Sequence, residues 1–200
     1  MIKAIIFDFD GVIHDTFMLA YKIHKKLNPT HTKDNFRSYF DGNLFKKVNT
    51  NFDQKAHDAF RKLEFQAFKD LKLEKQIRNE LTKLSKQFDL FIISSNSIRN
   101  LNMYLENNEF THIFKEVLAA ETHKSKIEKF KIVFKKYNLN SKSCIFVTDT
   151  LGDILEANKV SVKSIACTFG YHDEQRLKKG KPFRIISNFK EIRKIIESMR

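Results

Sequence analysis

The chain has 200 residues, 42% of them hydrophobic with 20 Phe, and sets 37 Lys and Arg against 24 Asp and Glu for a net charge of +13. That is enough apolar material for one substantial core, while no apolar stretch approaches the roughly 20 residues a membrane span needs, so a folded, soluble protein without a membrane partner is expected. The lysines are spread along the chain without a concentrated tail, which favours a solvated, generally basic surface, with steering of an anionic substrate as the lesser reading and a nucleic-acid partner not favoured.

In chain order, residues 1–13 form an almost unbroken apolar run that ends in Asp8, Asp10 and Gly11, the pattern of a strand covered on both faces in a parallel sheet. The strand starts directly after Met1-Ile2-Lys3, leaving no room for a secretory signal, and a cytoplasmic location is expected. Apolar spacing predicts a helix over 17–27, stopped by Asn28-Pro29-Thr30. From 32 to about 84 the patterns are helical: 35–40, a breaker at Asp41-Gly42-Asn43, 53–73 and 76–88. A second apolar strand over 90–93 ends at Ser94-Ser95-Asn96. Helices over 98–106, 126–137 and 154–158 then alternate with strands over 116–119, 144–147, 164–167 and 184–186, and a helix over 189–199 closes the chain. Such alternation predicts an α/β fold with a doubly wound parallel sheet, interrupted after its first strand by an all-helical insert. Cys144 and Cys167 lie in apolar strand-like stretches and read as buried, reduced thiols.

Open parallel sheets bind ligands beyond the carboxyl ends of their strands, and three of these ends are polar. The first carries Asp8 and Asp10, two residues apart and so on one side of an extended strand. The second carries Ser94 and Ser95, and the third Asp149, followed by Asp153. Lys124 and Lys126 precede the helix between the last two. Paired carboxylates repel unless a cation or a shared proton sits between them, and Mg²⁺ prefers carboxylate, water and phosphate oxygens. The residues therefore suit a metal-held phosphate.

Phe7-Asp8-Phe9-Asp10-Gly11-Val12, Ile92-Ile93-Ser94-Ser95-Asn96, the lysine at 124 or 126, and Phe146-Val147-Thr148-Asp149-Thr150-Leu151-Gly152-Asp153 resemble, in order and content, the four motifs of the haloacid dehalogenase superfamily. The insert resembles the small helical cap of its phosphoglycolate-phosphatase-like subgroup. The resemblance implies a Rossmann-like core over 1–15 and 82–200 with a helical cap over 16–81. It also implies a phosphatase hydrolysing a small phosphorylated metabolite through an aspartyl-phosphate. Asp8 would be the nucleophile and Asp10 the general acid and base. Mg²⁺ would be held by Asp8, the Asp10 carbonyl and Asp149, with Asp153 behind it, while Ser94, the better match to the second motif, or else Ser95, and Lys124 or Lys126 would bind phosphate. The carboxylate at position 10 favours phosphoryl transfer over carbon–halogen cleavage. Two alternatives stand beside this: a phosphomutase of the same superfamily, and a catalytically silent basic domain that binds nucleic acid or an acidic protein. Neither the substrate nor the oligomeric state is legible. His14 is set aside as packing or a solvated tip, and Tyr171 and His172 form only a weak candidate loop.

Overall fold

The structure, a computed structural model, describes residues 1–48 and 54–199. Asp53, where the helical pattern over 53–73 was expected to begin, lies outside them. Six parallel strands form one sheet in the order β3-β2-β1-β4-β5-β6, from β1 (Ala4–Phe7), β2 (Asp89–Ile93), β3 (Phe114–Leu118), β4 (Cys144–Thr148), β5 (Lys163–Cys167) and β6 (Arg184–Ile186). The order reverses at β1, which pairs β2 on one side and β4 on the other, with Phe7 opposite Ile92 and Val147. That reversal is where a doubly wound sheet opens a crevice for a ligand.

All four residues of β1 are buried, and helices cover both faces of the sheet. On one face α5 (Lys75–Ser85), α6 (Ile98–Asn107) and α10 (Glu191–Glu197) contribute Ile77, Leu81, Leu84, Leu101, Leu105, Ile192 and Ile196 to the larger core cluster. On the other, α7 (Lys126–Tyr137) and α8 (Leu151–Lys159) pack Phe130, Val133 and Ala157 against Ile6, Phe91 and Phe146. Each fully buried Ile or Phe contributes roughly 1.5–3 kcal/mol relative to exposure, so the double coverage explains why these strands read as continuous apolar runs. A short helix, α9 (Glu174–Lys178), joins β5 to β6.

Between β1 and β2 the described chain is helical: α1 (Phe17–Leu27), α2 (Lys33–Ser38), α3 (Leu44–Val48) and α4 (Gln54–Phe68), with a 3₁₀ turn at Tyr39–Asp41. This insert has no sheet to cover and is held instead by aromatic packing. Phe17, Phe36 and Phe40 gather around Tyr171, a residue of the core, with edge-on ring contacts at 5.2 Å from Phe17 and 4.8 Å from Phe40. The expected boundary at 81 falls inside α5, a continuous helix whose apolar face belongs to the main core.

Candidate active site

The chain leaves β1 in a tight turn. The Asp8 amide still bonds the Val147 carbonyl at 2.8 Å, which holds Asp8 beside the end of β4. The amides of Val12, Ile13 and His14 then converge on the Phe9 carbonyl. Gly11 sits in this turn at φ 76, a left-handed conformation that suits glycine, and a Cβ there would overlap the Asp149 carboxylate.

Lys126 is the first residue of α7, whose N-cap Ser125 accepts a hydrogen bond from the Ile127 amide. Its ammonium is buried between two carboxylates, 2.9 Å from Asp8 Oδ2 and 2.6 Å from Asp153 Oδ2. Thr148 Oγ1 donates to the same Asp153 oxygen at 2.7 Å. Lys124, the competing lysine, precedes the cap residue, is exposed, and rests its ammonium 4.6 Å from the Phe45 ring. Only one of the two expected lysines is therefore brought to the acids. Helical side chains lean toward their N-terminus, which carries the first residue of α7 back over the strand ends.

Asp10 is half-buried, and each of its carboxylate oxygens accepts a hydrogen bond, Oδ1 from Thr16 Oγ1 at 2.7 Å and Oδ2 from Asn96 Nδ2 at 3.0 Å. Asp149 is fully buried; its Oδ2 accepts from the Tyr171 amide at 2.6 Å, while Oδ1 has no hydrogen-bond partner among the described residues. Ser94 is fully buried, its hydroxyl accepting from the Asn96 amide at 3.0 Å and its carbonyl from the Lys129 ammonium. Ser95 is half-buried, in the bend that follows β2. Lys129, Asn96, Thr16 and Thr148 escaped the sequence reading. For Lys129 a signal existed: it stands three residues after Lys126 and directly before Phe130, on the apolar face of α7. The weak candidate loop contributes its backbone to Asp149, and His172 accepts from the Leu151 amide at the start of α8 at 3.0 Å.

Burial raises the carboxyls of Asp8 and Asp10, against the opposing pull of Lys126 on Asp8 and of the Thr16 and Asn96 hydrogen bonds on Asp10. Burial pushes Asp149 up to about 8, with Asp153 adding to the rise. Asp153 is the exception: burial would raise it, but Lys126 and its hydrogen bonds bring it below the ordinary value. Burial and the charge of Lys126 push Lys129 down to about 7. The site is thus short of positive charge for the acids it encloses.

Among the described residues no three His, Cys, Asp or Glu side chains close on one ion. The expected Mg²⁺ set needs two carboxylates and a backbone carbonyl, and hard cations complete their shells with water and substrate oxygens. A buried carboxylate oxygen without a partner, next to further acids, is what such a cation satisfies, so the residues fit Mg²⁺.

A doubly wound parallel sheet, an all-helical insert after its first strand, and buried acids paired with a lysine at the strand tips define an enzyme of the capped α/β class. The chain matches the haloacid dehalogenase-like hydrolase family over residues 5–167, and it belongs to that family. It is 24% identical over 164 residues to a phosphoglycolate phosphatase of Aliivibrio fischeri, covering 80% of this chain and 69% of that one. Its fold is that of a predicted phosphatase from Clostridium acetobutylicum, with a TM-score of 0.82, 21% identity, and 98% and 99% of the two chains covered. It is also that of a haloacid dehalogenase-like hydrolase from Streptococcus pneumoniae, with a TM-score of 0.81, 21% identity and 98% of each chain covered. The likeness to the phosphoglycolate-phosphatase-like subgroup expected from the helical insert therefore holds.

Proposed function

We propose that the protein is a Mg²⁺-dependent phosphatase of small phosphomonoesters, working through an aspartyl-phosphate on Asp8. The observation that carries this reading is the Asp8–Lys126–Asp153 ion-pair chain beside the partnerless oxygen of Asp149. It offers a nucleophile, an ammonium for phosphoryl oxygens and a place for a cation. The phosphatase names of the relatives in Aliivibrio fischeri and Clostridium acetobutylicum support the same chemistry.

Asp8, Asp149 and the carbonyl of Asp10 would hold Mg²⁺. When bound, the ion would supply the charge that keeps Asp8 and Asp149 ionised and would screen them from the phosphoryl oxygens. A carboxylate oxygen of Asp8 attacks phosphorus in line, and the leaving oxygen takes the proton of Asp10. Asp10, now ionised, removes a proton from the water that attacks the aspartyl-phosphate, which restores Asp8 and releases phosphate. Lys126 stabilises the developing charge, Asp153 fixes Lys126, and the Ser95 hydroxyl together with strand-end amides binds the phosphoryl oxygens. The helices α1 to α4 serve as the cap and form the leaving-group pocket, within the expected span 16–81.

The test is hydrolysis of a generic aryl phosphate. Asp8→Asn abolishes turnover with an unchanged circular dichroism spectrum; turnover equal to the parent protein would remove Asp8 as nucleophile. A panel of phosphorylated metabolites, assayed with and without Mg²⁺ and followed by product analysis, separates hydrolysis from return of the phosphoryl group to a sugar hydroxyl.

A further inference from the structure

The insert reaches the acid-base residue through a row of amides at the start of α6. Asn96 Oδ1 accepts from the Ser97 amide at 2.7 Å. A backbone N–H can only donate, so this contact fixes which end of the Asn96 side chain is oxygen and turns its Nδ2 toward Asp10 Oδ2, 3.0 Å away. The buried Asn100 amide then has one consistent orientation. Its Nδ2 donates to Asn96 Oδ1 at 2.9 Å and to Glu64 Oε2, on α4 of the insert, at 3.0 Å.

Glu64 is also held in place by its helix. Arg61, three residues earlier, pairs with Glu121 at 3.0 Å, and the other oxygen of Glu121 accepts from the Ile98 amide that opens α6. Phe65, the next residue, lies under the Arg99 guanidinium at 3.6 Å. Contacts from Arg61, Glu64 and Phe65 therefore register α4 on the N-terminus of α6, and the middle one continues to Asp10.

We propose that Glu64 is a positioning residue for Asp10, acting from the insert through Asn100 and Asn96 to fix the direction from which the Asp10 carboxylate is hydrogen-bonded. The inference rests on the acid-base role given to Asp10 above. Without an acceptor at position 64, the Asn100 amide loses the contact that pins its orientation, its grip on Asn96 Oδ1 loosens, and the Ser97 amide is left as the firm hold on the side chain that faces Asp10. Burial and the nearby Asp10 push Glu64 up to about 8, so at neutral pH it is mostly the uncharged acid, whose carbonyl oxygen a glutamine reproduces.

The test compares Glu64→Leu with Glu64→Gln on an aryl phosphate, whose leaving group is small enough to need little from the insert. Glu64→Leu is expected to lower kcat about tenfold with KM within about twofold, and Glu64→Gln to restore kcat to within about threefold of the parent. Asn96→Ala combined with Glu64→Leu should cost little more than Asn96→Ala alone, because both changes break one relay. An unchanged kcat in Glu64→Leu overturns the proposal, as does strict additivity. A rise in KM alone overturns it too, since Glu64 would then bind substrate directly. A readout that needs no activity is hydrogen exchange of the Asn96 side-chain amide by NMR. It should be slow in the parent and in Glu64→Gln and fast in Glu64→Leu or, if that variant does not fold, in Glu64→Ala; equal rates in the folded variants sink the relay. A parent protein that hydrolyses no phosphate ester would remove the phosphatase reading while leaving the exchange result to judge the relay.

Discussion

Lys126 neutralises two buried carboxylates at once, and its removal leaves Asp8 and Asp153 facing each other in a dry place. Breaking such a buried pair costs about 3–5 kcal/mol, so Lys126→Met should lose aryl-phosphate turnover and unfold at markedly lower urea concentration. Lys124→Met changes only an exposed contact with Phe45 and should stay within about 0.5 kcal/mol of the parent. Equal effects of the two substitutions would contradict the assignment. Lys129 offers a separate check on the charge balance. Its folded pKa of about 7 lies below the ordinary 10.5, so between those values the unfolded chain binds the extra proton. Stability carried by this group is therefore gained as pH rises from 7 toward 10. The parent should gain stability relative to Lys129→Met between pH 7 and pH 9.5 in urea titrations; a constant difference would mean that Lys129 is charged in the folded protein.

At the scale of elements, the start of α8 is a place where insert and core meet closely. A Cβ at Gly152 would run into the backbone oxygens of Gly42 and Phe40, so Gly152→Ala forces the Asp41-Gly42-Asn43 turn away from the helix that carries Asp153. The expected cost is about 1–3 kcal/mol of stability, together with a raised KM, measured by thermal melts and steady-state kinetics. His172 bridges the same junction, accepting from the Leu151 amide and donating from Nε2 to the Arg37 carbonyl at 3.0 Å. These contacts also mark what could be read in advance. The strands and α7 were legible because burial on both faces, or a regular apolar stripe, leaves a pattern in a dozen residues or fewer. The five-residue helices α3 and α9 are too short to show a period. α8 begins at Leu151 rather than 154 because Thr150 caps it, accepting from the Asp153 amide, although Gly152 weakens the local helical signal. The acids Asp8, Asp10 and Asp149 were visible as strand-end residues, and Asp153 as the acid four residues after Asp149. The choice of Lys126 over Lys124 depends on which residue follows the Ser125 cap, and the link from Glu64 to Asp10 depends on tertiary contacts that spacing does not encode.

For the molecule as a whole, metal binding and pH should be linked. Burial holds Asp149 near 8 in the cation-free protein, so at pH 6 it carries a proton that a divalent cation must displace, and at pH 8.5 it is mostly ionised. The rise in Tm produced by a fixed Mg²⁺ concentration should therefore be larger at pH 8.5 than at pH 6 by differential scanning fluorimetry. In Asp149→Asn both increments should shrink, and a pH-independent increment in the parent would separate Asp149 from the cation.

The central position of β1 has a consequence for how the molecule assembles during synthesis. Its partners along the sheet are β2 and β4, so the earliest strand in the sequence finds its second neighbour only when residues 144–147 have been made. Until then a fully apolar strand has one bare edge, and the acids that will meet at position 149 have nothing to meet. A chain halted in α7 should be a sticky, inert fragment that needs chaperoning, and release of the last third should switch on folding and chemistry together.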